Sequence, residues 1–256
     1  MTAKKQKIAN LIFMITFVFG QEYPPPTDLI TIPTAGTLAR GSFSLGMRIQ
    51  DEGGMILGLS AGITDRFQFG ISYGSPNLIG DDSLRWYPHP EASLKYLLID
   101  ENRTMPGIAL GVNTQGFGNY NDSDSLMRYD MKAYGVYLAA SKNWKSPFGN
   151  MGLHSGINYN FIEIVDGDED PNLFFGIDFE LNPEFSLLIE YNSALNENDL
   201  TAKTMAINKS GYLNAAVRWS FVESLHLEFH LNNLLFDEEK VGYFKREIKI
   251  TYIEYF

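Results

Sequence analysis

Apolar and polar residues alternate with a period of two through almost the whole chain beyond residue 36. Leu225, Leu227, Phe229 and Leu231 interleave with His226, Glu228, His230 and Asn232. Leu153, Ile157, Tyr159 and Phe161 interleave with His154, Gly156, Asn158 and Asn160, and Leu173, Phe175, Ile177 and Phe179 with Phe174, Gly176, Asp178 and Glu180. Neighbouring side chains of a strand point to opposite faces, so each run is a strand with one apolar face, not a helix. About twelve strands are expected, at 37–49, 55–63, 67–74, 92–99, 106–117, 131–143, 150–161, 172–181, 185–193, 212–221, 224–233 and 246–256. Most approach the 9–11 residues that a tilted transmembrane strand needs and exceed the five or six usual in soluble sheets.

The connections sort by length. Thr64-Asp65-Arg66, Asn182-Pro183-Glu184 and Val222-Glu223 are tight turns, and Asp100–Met105 and Trp144–Gly149 are modest ones. Between them come the long polar segments 75–91, 118–130, 194–211 and 234–245 and the medium 162–171; Gln50–Gly54 is the short exception. Short turns opposite long loops are the pattern of outer-membrane barrels. An even strand number also leaves both termini at the short-turn end. The expected fold is therefore all-β: a transmembrane antiparallel up-and-down β-barrel of about twelve strands over residues 37–256. A soluble sandwich or lipocalin-like barrel shows the same alternation with inside and outside exchanged. The membrane is favoured by the Gly-, Asn- and charge-rich polar faces and by aromatic residues near strand ends: Phe67, Tyr73, Tyr134, Trp144, Tyr159, Phe161, Tyr191, Trp219 and Phe221.

Ahead of the strands, Lys4, Lys5 and Lys7 precede an apolar run from Ile8 to Gly20. A basic start followed by a short apolar stretch reads as a secretory signal peptide over 1–20, too short for a helix that crosses a bilayer. Residues 21–36, with Tyr23-Pro24-Pro25-Pro26, read as a Pro-rich periplasmic segment. The chain then belongs in a bacterial outer membrane, in contact with its lipid and lipopolysaccharide. The net charge of −11 becomes −14 without the three leader lysines. Such acidity argues against nucleic acid as a partner, because binding it takes Lys and Arg to displace counterions. With no cysteine there are no disulfides, thiolate metal sites or cysteine nucleophile.

The last strand, Ile248 to Phe256, resembles the terminal signal that barrel-assembly machinery reads: Phe256, Tyr252, Ile250 and Ile248 fit the pattern and Glu254 does not. Gly58 to Tyr73, Ala140-Ser141-Lys142-Asn143 and Gly152 to Tyr159 resemble segments of YjbH-like outer-membrane proteins. That resemblance spans most of the chain beyond the leader and implies a role in exopolysaccharide production or export, with a saccharide or envelope polysaccharide as partner. Longer members of the group carry more sequence than this chain.

The alternation assigns Arg40, Arg48, Lys95, Asn113, Gln115, His154, Asn158, Asp178, Glu180, Glu190, Arg218, His226, Glu228, His230 and Lys249 to the barrel interior. Their near balance of sign suggests a lumen crossed by ion pairs rather than a strongly ion-selective pore. His154-Ser155 evokes a lipid hydrolase, but adjacent strand residues face opposite sides and cannot share a proton. His226, Glu228 and His230 share one face but are spaced too widely for two of them to chelate one ion tightly, so a lumen lining is the simpler reading. Asp166, Asp168 and Asp170 in an external loop are weak calcium candidates; the EF-hand spacing is missing and a solvated acidic loop accounts for them. No enzyme and no cofactor is expected. Two functions remain: a narrow passive channel or component of envelope polysaccharide export, and a non-conducting structural or binding barrel acting through acidic external loops or the periplasmic N-terminus.

Overall fold

Because each strand is apolar on one face only, the sheet must bury or greet lipid with that face, and closing it into a barrel removes its unpaired edges. The computed structural model describes residues 26–80, 83–123, 126–146, 149–199, 210–222, 224–235 and 245–255. The signal-peptide reading and Phe256 lie outside the described residues. Twelve antiparallel strands close a barrel: β1 (Ser42–Ile49), β2 (Met55–Thr64), β3 (Phe67–Ser75), β4 (Glu91–Ile99), β5 (Gly107–Asn113), β8 (Gly135–Ser146), β9 (Gly149–Tyr159), β10 (Asn172–Glu180), β11 (Phe185–Asn192), β12 (Tyr212–Val222), β13 (Leu225–Asn232) and β14 (Lys245–Tyr255). Each barrel strand pairs with its neighbour in the barrel, and β1 pairs with β14 from Ser42↔Tyr255 to Ile49↔Ile248 to complete the ring. Between β5 and β8 lies a separate hairpin, β6 (Phe117–Asn121) and β7 (Arg128–Met131).

The twelve-strand expectation holds, and its differences are local. The segment 118–130, read as loop, contains most of this extra hairpin. The first strand begins at Ser42 rather than at residue 37, because residues 37–41 cross the barrel rim. Gly62 makes that crossing possible: a Cβ there would sit 2.0 Å from the Ala39 carbonyl oxygen.

The apolar face points outward. Leu57 is 54% exposed, Phe175 49% and Ile189 52%, and Ile71, Leu110, Ile157 and Phe229 share that face. A belt of this kind has no place in water and matches the lipid-facing band of a transmembrane barrel, which rules out the lipocalin-like alternative. Tyr73, Tyr159, Trp219 and Phe221 lie on the outside, with Trp219 stacked on Phe185 at 5.9 Å. Tyr134 is a correction: it is fully buried inside the barrel rather than in an outer girdle. Ile189→Lys, in the middle of β11, is expected to destabilise the barrel in lipid vesicles by about 2–4 kcal/mol. Equilibrium unfolding from vesicles measures this, and an unchanged midpoint would place Ile189 away from lipid.

Candidate functional site

The lumen is filled. Residues 26–38 run inside it, although 26–36 were expected in the Pro-rich periplasmic segment and 37–38 in the first strand. The chain folds back on itself there through an Asp28↔Pro33 bridge and a Leu29 N–H to Ile32 carbonyl bond of 3.1 Å, which makes a small hairpin with its tip at Leu29–Ile32. A buried turn leaves main-chain N–H groups that need acceptors. Glu190 supplies them from β11: its carboxylate accepts the N–H groups of Ile30 at 3.0 Å, Thr31 at 3.0 Å and Ile32 at 3.1 Å, together with the Thr31 hydroxyl. Asn214 Nδ2 holds the same carboxylate from β12 at 2.8 Å.

The carbonyls of the turn meet the interior cations. Arg48 Nη2 donates to the Ile30 carbonyl at 2.9 Å, Arg218 reaches the Asp28 and Leu29 carbonyls, and Lys95 donates to the Thr27 and Gly36 carbonyls. Lower down, Leu38 N–H donates to Gln68 Oε1 at 3.0 Å. The plug is thus gripped mainly through its main chain, by Glu190, Arg48, Arg218 and Lys95, which the alternation had assigned to the interior, and by Gln68, which it had not named.

The side chains of the plug need a different surface. Leu29, Ile30 and Ile32 are fully buried against Tyr137, Ala139, Phe174, Leu188 and Ala216 on the barrel strands and against Tyr134 just before β8. The Phe174 ring lies across Gly156, where a Cβ would be 2.2 Å from its tip. A water-filled pore has no use for such residues; a plugged one does. Phe174 and Leu188 interrupt otherwise polar faces in the sequence, and that was the available signal for a filled lumen.

The remaining interior charges pair between strands. Glu228 lies opposite Arg218 in the register, with Arg218 Nε 2.9 Å from Glu228 Oε1, and its other oxygen is 2.7 Å from His230 Nε2. His230 Nδ1 is 3.1 Å from Arg48 Nη2, and Arg48 Nε is 2.8 Å from Glu247. Lys249 pairs in register with both Arg48 and Glu228. His226, on the same face, turns instead to the Ser220 hydroxyl at 2.7 Å. Glu180 takes the Asn150 amide near the short-turn end. Asn158 donates to the Tyr134 carbonyl and Gln115 Oε1 accepts from Ser72; Asn113 caps the Gln115 N–H. Arg40 is the exception, exposed in the rim turn before β1 and outside the lumen.

One relay was invisible along the chain because its members sit on three strands. Ala35 N–H donates to Ser141 Oγ at 2.8 Å, Ser141 lies 2.8 Å from His154 Nδ1, and His154 Nε2 lies 2.6 Å from Asp178 Oδ1. The Ser–His–Asp order is that of a hydrolase triad. Here Ser141 and His154 are completely buried and the Ser oxygen is engaged by the plug, so the relay anchors residue 35 and leaves no room for an acyl substrate.

Above the plug, the β6–β7 hairpin folds over the long-loop end as a lid. Phe117 and Met131 join the apolar cluster around the plug, and the Arg48 guanidinium lies 4.4 Å over the Phe117 ring. The acids proposed as calcium ligands hold this lid. Asp166 is 2.9 Å from Arg128 Nη1 and 2.7 Å from Lys132 Nζ; Asp168 accepts the N–H groups of Asn198 and Asp199; Asp170 is exposed and meets Asp168 through its main-chain N–H. Glu197 completes the network, 2.9 Å from Arg128 Nη2 and accepting the Lys132 N–H. Asp166 and Asp168 are therefore committed to protein cations and N–H groups, which corrects the calcium reading.

Glu163 adds a pH dependence. It accepts the Tyr129 and Ala133 N–H groups at 2.7 Å each, yet burial pushes its pKa up to about 7 from the ordinary 4.5, against the pull of those donors, Asn160 and Arg128. The folded lid therefore binds more protons than the unfolded one between these values, and its stability falls as pH rises through that window and levels off above it. Protection factors of the Tyr129 and Ala133 amides are expected to be lower near pH 8 than near pH 5, and Glu163→Gln to flatten the difference. Equal protection in the wild type at both values would contradict this.

No protein-family model matches the sequence, and no curated protein matches it. Among solved structures, a KdgM porin matches 84% of this chain and 99% of its own at 10% identity, with a TM-score of 0.45. A NanC porin matches the same shares at 6% identity and a TM-score of 0.42. An outer membrane channel from Pseudomonas putida F1 matches 91% of this chain and 100% of its own at 13% identity, with a TM-score of 0.43. None of these matches points to the YjbH-like proteins in particular.

Proposed function

We propose that the protein is an outer-membrane channel that rests closed, its lumen occupied by residues 26–38 and its outer mouth covered by the β6–β7 lid. The observation that carries this reading is the plug itself: a hairpin of the same chain, held by main-chain hydrogen bonds, inside a barrel whose outer face suits lipid. A segment whose covalent link to the first strand is residues 37–41 can leave as a unit while the barrel's strand pairing stays intact. Export by the leader, insertion through the terminal strand and a saccharide as cargo follow from the sequence resemblances and belong to the same proposal.

A second reading has its own support. Plug, lid and apolar cluster form one continuous packed interior, which suits a structural or binding barrel that never conducts. Planar-bilayer recording of the full chain beside a variant lacking residues 26–38 separates the two. Discrete conductance steps in the shortened variant, rare in the full chain, support the gated channel. Silence from both, with a heat-modifiable gel shift showing that both are folded, selects the non-conducting barrel.

A further inference from the structure

We propose that the outer mouth carries a binding pocket for a neutral saccharide, between the loop that follows β3 and the β6–β7 lid. A cavity of about 440 Å³ opens there, walled by Arg85, Trp86, Asn119, Tyr120, Asp122 and Asp130. Pockets that enclose small ligands fall in this size range.

Two aromatic rings are held in place before any ligand arrives. Trp86 is 54% exposed and stacks on Tyr73 with centroids 5.5 Å apart and planes at 6°. Tyr120 is braced edge-on by Tyr129 at 5.0 Å and by His89 at 6.1 Å. Rings fixed in this way offer flat apolar surface at little further loss of side-chain freedom. Beside them stand hydrogen-bonding groups of both kinds. Asp130 is set by the Asn119 N–H at 2.8 Å. Among the described residues, the side chains of Arg85 and Asp122 make no hydrogen bond or ion pair with the protein.

The combination selects its ligand by chemistry. A lipid tail would desolvate the polar walls without replacing their hydrogen bonds. A metal ion has no use for the rings. A polyanion meets Asp122 and Asp130 in a chain of net charge −11. A pyranose has an apolar C–H face for the rings and hydroxyls that both donate to carboxylates and accept from a guanidinium. Asn119, Tyr120, Asp122 and Asp130 belong to the lid region, so a sugar bound here touches the element that covers the plug. The proposal rests on the channel reading only for placing the pocket at the outer mouth, and binding is measured without conduction.

The chain has three tryptophans, so Trp144→Phe with Trp219→Phe leaves Trp86 as the sole tryptophan, read by excitation at the red edge of the absorption band where tyrosine does not absorb. Refolded full-length protein on that background is titrated with maltotriose, cellotriose, mannotriose and chitotriose, and with trigalacturonate as the acidic comparison. The expected result is a saturable Trp86 signal with at least one neutral trisaccharide, weakened about tenfold or more by Tyr120→Ala and by Asp130→Asn in barrels that keep their gel shift. Three results would overturn the proposal: no saturation with any neutral sugar, tighter binding of trigalacturonate than of all neutral ones, or binding indifferent to both variants. A silent variant lacking residues 26–38 would defeat the channel reading and leave this pocket untouched.

Discussion

Glu190→Ala is expected to raise the open probability of the barrel at least about tenfold over wild type in planar bilayers. One carboxylate receives three consecutive N–H groups of the plug turn and a Thr31 hydroxyl. Removing it orphans those donors in a buried setting, at about 1–3 kcal/mol for each group that water does not reach. The barrel wall loses little, since among the described residues of the wall only Asn214 gives up a side-chain hydrogen bond to the Glu190 carboxylate. The cost therefore falls on the plugged state. Glu190→Gln keeps one carbonyl oxygen and is expected to fall between the two. Recordings of Glu190→Ala indistinguishable from wild type, in barrels with a normal gel shift, would mean that the plug does not depend on this carboxylate.

Asp166→Ala carries the second large effect, at the lid. Asp166 is fully buried and is shared by Arg128 and Lys132, also buried. Breaking such a pair from one side costs about 3–5 kcal/mol, because Lys132 then stays out of water without its carboxylate, while Arg128 keeps Glu197. The β6–β7 hairpin is expected to unlatch, and protease cleavage between Phe117 and Met131 to accelerate a hundredfold or so. Replacing the acid together with Lys132, whose ion pair is to Asp166, as Asp166→Leu with Lys132→Met, is expected to recover part of the loss, since an apolar pair in place of a buried ion pair is often neutral. Cleavage of Asp166→Ala at the wild-type rate would show the lid to be held by other contacts.

Much of the fold was legible because it is local. Alternation gives strands, strand length gives the membrane, and loop lengths give the order of turns, all within a few residues of chain. The interior face was legible for the same reason: Arg48, Lys95, Glu190, Arg218 and Glu228 all face inward where the period of two puts them. What they bind was not. Glu190 meets residues about 160 positions away, and nothing along β11 distinguishes a carboxylate that lines a pore from one that caps a turn. The Ser141–His154–Asp178 relay depends on the register of three strands, which alternation leaves free. Asp166 and Asp168 read as solvated acids because their partners lie some thirty or more residues away along the chain, Arg128 and Lys132 on and just after β7 for Asp166, and the Asn198 and Asp199 N–H groups for Asp168. The plug did leave a trace, in Phe174, Leu188 and Ala216 on inward faces and in apolar Leu29, Ile30 and Ile32 within a segment read as Pro-rich and periplasmic.

The position of the plug can be tested by one covalent bond. A Cβ on Gly107 would lie 3.6 Å from the Ala35 Cβ, within the span of a disulfide, and the chain has no cysteine of its own to compete. Ala35→Cys with Gly107→Cys, folded and mildly oxidised, should form an internal disulfide that thiol titration and mass measurement detect and that keeps the barrel silent until it is reduced. Free, solvent-reactive thiols in a folded barrel would contradict the account, because residue 35 would then lie away from the lumen wall.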